Sequence, residues 1–315
     1  MAYYSRIVEQ EIERKLNASG ALLIKGPKSC GKTETAKQFA KSILLVDRDE
    51  QVPVVMGIDP KILLSGATPR LLDEWQDEPK LWNYVRHEVD DRREKGQFIL
   101  TGSANPHEDV KMHSGAGRFT VVEMQTMSWQ EMGYSSGQIS MDQLLKGNEL
   151  SYISTDLPLE WIIERMIKGG WPALLNMSLD DAILLNRGYI DLLADVDMSR
   201  ISNIKRDPKR VRTLLRSIAR NIATLVDNTT IAKDIKSVED ADISRPTIID
   251  YLDALSRLMI FEEQPAFNTH IRSANSLRKS PKRHFCDVSL AIAALKLTKE
   301  ALMNDLKYSG FLFGN

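Results

Sequence analysis

Gly26-Pro27-Lys28-Ser29-Cys30-Gly31-Lys32-Thr33 decides the fold. The octet fits G-x-x-x-x-G-K-[ST] at every fixed position. Before it, Ala21-Leu22-Leu23-Ile24 is a short apolar run of the kind that forms a buried strand. After it, Glu34 to Ser42 reads as helix. Strand, glycine loop and helix are the context in which this motif wraps a phosphate. The glycines bring the backbone close to the anion. N–H groups at the helix start, and the positive end of its dipole, hold the charge. Gly26, Pro27, Lys28, Ser29, Cys30 and Gly31 form the loop. Lys32 reaches the outer phosphates and the Thr33 hydroxyl ligates Mg²⁺. Cys30 reads as a small filler.

Further strands follow. Ile43-Leu44-Leu45-Val46 ends at Asp47, Leu71-Leu72 stops at Asp73-Glu74, and Phe98-Ile99-Leu100 ends in Thr101-Gly102-Ser103. A charged amphipathic helix, Leu81 to Arg93, separates the last two. Strands alternating with helices predict an α/β fold, a parallel P-loop NTPase sheet with helices on both faces. Asp73 and Glu74 lie about forty residues after the loop. In that order they read as a Mg²⁺ ligand and a general base for an attacking water. Ligand groups gather at the carboxyl ends of parallel strands. Thr101 and Ser103 are therefore both candidates for sensing the terminal phosphate, and spacing does not choose between them. Gly115-Ala116-Gly117-Arg118 precedes another β-like run, Phe119 to Val122. Arg118 is a candidate for stabilising transition-state charge in a neighbouring subunit's site, which implies a homo-oligomer. A solvated arginine is the alternative.

The texture changes near residue 125. Helical patterns cover 159–168, 179–196 and 208–224, the first two broken by Gly169-Gly170-Trp171-Pro172. Residues 200–220 hold Arg200, Lys205, Arg206, Lys209, Arg210, Arg212, Arg216 and Arg220 against a single acid, Asp207. Lys209, Arg212, Arg216 and Arg220 share one helical stripe, with Val211, Leu214, Leu215 and Ile218 opposite. Such a stripe follows nucleic-acid phosphates or is a solvated, acid-paired face. A short helix from Thr229 to Ile235 comes next. Ser244 is an N-cap, Pro246 sits in the first turn, and Met259 to Gln264 reads as a strand. This is the order of a winged helix, in which Ser244, Arg245 and Thr247 face double-stranded DNA. A basic run of Arg272, Arg278, Lys279, Lys282 and Arg283 reads as a loop.

These residues resemble the prokaryotic AAA-like ATPases that carry a C-terminal domain of unknown function. The likeness rests on GPKSCGKT (26–33), RLLDEWQ (70–76), FILTGSA (98–104), SGAGRF (114–119), GGWP (169–172) and FCDVSLAIAALKL (285–297), six motifs across nearly the whole chain. It implies ATP and Mg²⁺ as ligands, Glu74 as the catalytic carboxylate and Arg118 as the arginine of a G-R motif. It also implies a winged-helix segment and a restriction-endonuclease-like end. Only the beginning of that end is expected here, as in a truncated chain. The expected division is 1–135 for the ATPase domain, 136–207 for a helical linker or lid, 208–270 for the winged helix and 271–315 for the incomplete terminal domain.

Composition narrows the classes. The 315 residues include 42 Lys+Arg and 43 Asp+Glu, so a globally basic nucleic-acid binder is excluded. Two cysteines, Cys30 and Cys286, make neither a disulfide framework nor a metal site. No run of 18 apolar residues suggests a membrane span, and Met1 to Lys15 lacks the apolar core of a signal peptide. A cytoplasmic protein is expected. The resulting expectation is Mg²⁺-dependent ATP hydrolysis coupled to DNA binding. The rivals are a nucleotide-switched DNA- or protein-binding module with little turnover, a remnant lacking its effector, and a small-molecule kinase.

Overall fold

The structure is a computed structural model that describes residues 3–102, 114–147, 156–201, 206–239, 244–267 and 280–315. Its first half contains β1 (Ala21–Lys25), β2 (Ser42–Leu45), β3 (Arg70–Asp73), β4 (Phe98–Gly102) and β5 (Phe119–Glu123). They form one sheet in the order β2-β3-β4-β1-β5, and every pairing is parallel. Period-2 alternation divides the strands between two cores. Ala21, Leu72, Phe98 and Leu100 face Trp75, Leu81, Trp82 and Val85. Leu22, Ile24, Leu71, Ile99 and Val122 face Ile12, Leu16 and Ala36. Helices α1 (Glu9–Leu16) and α2 (Lys32–Lys37) cover the second face. Helix α5 (Leu81–Arg92) covers the first. Two short helices between β2 and β3, α3 (Val52–Ile58) and α4 (Lys61–Leu64), have no counterpart in the sequence reading.

Helix α1 begins at Glu9, and just before it Arg6 reaches the phosphate loop. Register matters more than element length. Asp73 stands opposite Thr101, and Thr101 opposite Ile24, so the ends of β3, β4 and β1 lie on one edge of the sheet.

The second half contains α6 (Met141–Leu145), α7 (Leu159–Lys168), α8 (Leu179–Leu192) and a π-helical turn (Leu193–Asp197). It continues with α9 (Met198–Arg200), α10 (Pro208–Arg220), α11 (Asn228–Glu239) and α12 (Arg245–Arg257). Strands β6 (Phe261–Gln264) and β7 (Lys282–Phe285) pair antiparallel, and α13 (Val288–Ala294), α14 (Lys299–Asn304) and α15 (Leu306–Phe313) follow. One core runs from Ile163 to Leu312 and includes Leu214, Ile218, Ile248, Leu255, Phe285 and Ile292. A division at 270/271 would separate β6 from β7, which pair with each other. The boundary at 207/208 also falls inside this core. Tyr308 and Leu312, near the end of the sequence, belong to it too. Asn315 donates to the Phe285 carbonyl and accepts its N–H, both at 2.9 Å, standing in for a strand partner. Among the described residues no helix is long and apolar enough to cross a membrane.

The two halves meet at Gly169-Gly170-Trp171-Pro172. The Gly170 carbonyl accepts from Met127 N–H at 2.7 Å, and its N–H donates to Asp287 at 2.8 Å. A Cβ at Gly170 would lie 2.2 Å from the Met127 carbonyl oxygen, so only glycine fits.

Candidate active site

The phosphate loop leaves β1 and returns as α2. Gly31 has φ +102°, a conformation that glycine adopts without strain. A Cβ at Gly26 would lie 2.2 Å from the Met124 carbonyl oxygen, so the loop packs against the end of β5 through bare backbone. Lys32 is buried, and its ammonium donates to the carbonyls of Gly26 (3.0 Å) and Pro27 (2.9 Å). The Cys30 side chain is buried, and burial raises its thiol pKa, in keeping with a filler.

The buried Asp73 is the meeting point. Its Oδ1 accepts from the Thr33 hydroxyl at 2.8 Å and from the Thr101 hydroxyl at 2.5 Å. Two hydroxyls from separate elements thus converge on one carboxylate oxygen. Of the two sensor candidates, Thr101 touches Asp73, while Ser103 lies outside the described residues. Glu74 takes left-handed backbone, φ +53°, which swings its carboxylate off the strand line. Burial raises its pKa, the Gln76 amide and the Lys32 charge oppose that rise, and Asp73 adds to it. The Gln76 side-chain amide donates to Glu74.

Further groups join the site, most of them without a sequence warning. Arg6 is buried and spans three partners. It donates to the Cys30 carbonyl at 2.9 Å and the Gln125 carbonyl at 2.8 Å, and pairs with Glu131 at 3.0 Å. Burial works against the Glu131 carboxylate. The N–H groups of Ser128 and Ile7, with Arg6, nonetheless hold its pKa below the ordinary value. Arg6 thereby ties the loop to the segment after β5. Tyr3, Tyr4, Gly31, Thr35, Met127 and Pro172 line a cavity of about 430 Å³ beside the loop. Asp197 pairs with Lys28 at 2.5 Å, and the Tyr189 hydroxyl donates to the Lys28 carbonyl at 3.4 Å. The GGWP motif was a visible signal for Pro172. Arg6 and Asp197 carried none, because single charges acquire meaning only from what the fold sets beside them.

Arg118 is remote. Its carbonyl accepts from Ala21 N–H, at the opposite end of β1 from the loop, roughly 15 Å away along the strand. Its guanidinium pairs with Asp90 at 2.7 Å. This hydrogen bond raises the Arg118 pKa and lowers that of Asp90.

The basic stripe is partly neutralised. Arg212 pairs with Asp191 (3.1 Å) and Asp195 (2.6 Å), and Arg220 with Asp234 at 3.5 Å. Lys209 and Arg216 project outward from the same helix. Ser244 caps α12, its hydroxyl accepting from Thr247 N–H at 3.3 Å, and Arg245 is exposed beside it. The basic residues 272, 278 and 279 lie outside the described residues.

Sheet order, loop and acidic strand end define a P-loop NTPase fold of the AAA-like kind. Residues 18–133 match the family model described as an AAA domain, and residues 159–301 match a domain of unknown function, DUF8612. The Walker-type ATPase paby2304 of Pyrococcus abyssi shares the fold, with a TM-score of 0.55 and 13% identity over 94% of this chain and 96% of that one. Two uncharacterized proteins, Rv2008c of Mycobacterium tuberculosis and Mb2031c of Mycobacterium bovis, are each 24% identical over 284 residues, 89% of this chain. The chain spans 57% of the length of these curated relatives.

Proposed function

We propose that the chain binds ATP at the phosphate loop and hydrolyses it with Mg²⁺. The observation that carries this reading is the convergence of Thr33 and Thr101 on Asp73, beside the buried Lys32. A hydroxyl at the loop's end next to a buried carboxylate is the oxygen donor set that a hard divalent cation takes. Thr33 and Asp73 would hold Mg²⁺, which neutralises phosphate charge when bound. Lys32 and the loop N–H groups stabilise the terminal phosphate, and Thr101 fixes Asp73. Glu74 accepts the proton of the attacking water. Positioning and charge neutralisation carry most of the acceleration. The cavity between Tyr4 and Pro172 has room for the nucleoside. Arg118 is too far from its own loop to assist it, so its charge serves a neighbouring subunit's site, and oligomerisation follows from that role.

The helices α10–α12 and the β6–β7 pair have the order of a winged helix, which favours duplex DNA as a partner. Ser244, Arg245 and Thr247 at the start of α12, with Arg216 on α10, form the contact surface. Arg212 contributes only on leaving Asp191 and Asp195.

The test is steady-state ATP turnover with Mg²⁺, with and without duplex DNA, using Lys32→Ala as the control. Turnover that rises with DNA supports the coupled reading. Turnover absent from wild type and control alike overturns hydrolysis. Duplex binding that Arg245→Ala leaves unchanged removes α12 as the recognition helix. The second reading, a nucleotide-switched module with little turnover, is favoured by the ion pair between Lys28 and Asp197, which joins the loop to the helical half. Tight ATP binding without turnover selects it.

A further inference from the structure

The helical half touches the phosphate loop through Lys28, and both contacts come from one continuous stretch. Tyr189 on α8 donates to the Lys28 carbonyl, and Asp197 in the π-helical turn pairs with its ammonium. The Asp197 side chain is 12% exposed and that of Lys28 46%, so one partner is held while the other stays free to swing. A π-turn inside a helical run is uncommon and is often found where a helix is used. The other side of the same stretch faces α10. There Asp191 and Asp195 hold Arg212. One acidic stretch is therefore pinned twice, once by the phosphate loop and once by the basic helix.

Phosphate arriving on the loop is an anion beside an existing anion. It draws Lys28 towards itself and repels Asp197. We propose that Asp197 is the positioning residue through which the helical half reads the charge on the loop, by competing with bound nucleotide phosphate for Lys28. The proposal rests on the nucleotide reading above and adds its regulation. Loss of the Lys28 contact frees the π-turn at one end, while Arg212 still holds the other. Coupling is reciprocal, so whatever draws Arg212 off Asp191 and Asp195 changes nucleotide affinity in turn.

Calorimetric titration of the full chain with ATP, ADP and adenosine, each with Mg²⁺, tests this. Asp197→Asn should bind ATP about three- to tenfold more tightly, ADP less so, and adenosine unchanged, because the effect follows phosphate charge. The Asp197→Asn gain should shrink in a Lys28→Ala background. Equal changes for all three ligands, or none, overturn the proposal, since a merely structural Asp197 would not distinguish them. Arg212→Ala should act in the opposite sense, weakening ATP, because Asp191 and Asp195 are left without their counter-charge. Unchanged ATP affinity in that variant overturns the link to α10. A wild-type chain that binds neither ATP nor ADP overturns the nucleotide reading itself, a result distinct from normal binding with no effect of Asp197→Asn.

Discussion

Two charged surfaces of this molecule obey different rules. At the sheet edge Lys32, Asp73 and Arg6 are buried, and each is met by named partners. On α10 Arg212, Arg216 and Arg220 stand in or near water, and the pairs they make are partly exposed. Burying charge costs several kcal/mol per ion before any partner is found, so an arrangement like the first persists only where partners fully answer it. Exposed pairs contribute about 0–1 kcal/mol and are readily exchanged. The first surface is suited to fixed chemistry and the second to a replaceable contact.

Mutations can break that contrast. Glu74→Gln should reduce turnover by about 10²–10⁴-fold while ATP binding survives. Unchanged turnover, measured by phosphate release, removes Glu74 from the base role. Arg6→Ala should come next, with a loss of about 3–5 kcal/mol, because it leaves the Glu131 carboxylate without its counter-ion. Denaturant unfolding measures it, and a loss under about 1 kcal/mol would put this pair in the exposed class. Thr101→Val should cost about 1–3 kcal/mol, since Asp73 loses a buried donor. If thermal unfolding shows no loss, Asp73 is held by Thr33 alone. Arg216→Ala should have the smallest effect. Folding should be unchanged, and the log–log salt slope of duplex binding should fall by about 1. An unchanged slope takes Arg216 out of the DNA contact.

The first surface was largely legible in the sequence. Gly26 to Thr33 carries fixed spacing because one loop must wrap one phosphate. Asp73-Glu74 and Thr101 end apolar runs, and parallel register then sets them side by side. Periodicity also gave the five sheet strands, the apolar face of α10 and the helix at α12. Tertiary partners were not legible. The stripe on α10 looked continuous, yet Asp191 on α8 and Asp195 in the π-helical turn answer Arg212. Arg6 carries no signal of its own in the sequence, although it fastens the phosphate loop. The partner of β7 is β6, far earlier in the chain, and strand pairing across such a separation leaves no local pattern.

The joint at Gly170 has a mechanical consequence. Backbone meets backbone there with no side chain to deform, and Asp287 holds the N–H from behind. The halves are therefore joined stiffly here, whereas their contacts at Lys28–Asp197 and Gln125–Glu262 are made through side chains. Both of those pairs bridge the halves, one beside the phosphate loop and one at β6. Gly170→Ala would push the stiff joint apart, loosening the halves from each other while each keeps its own core.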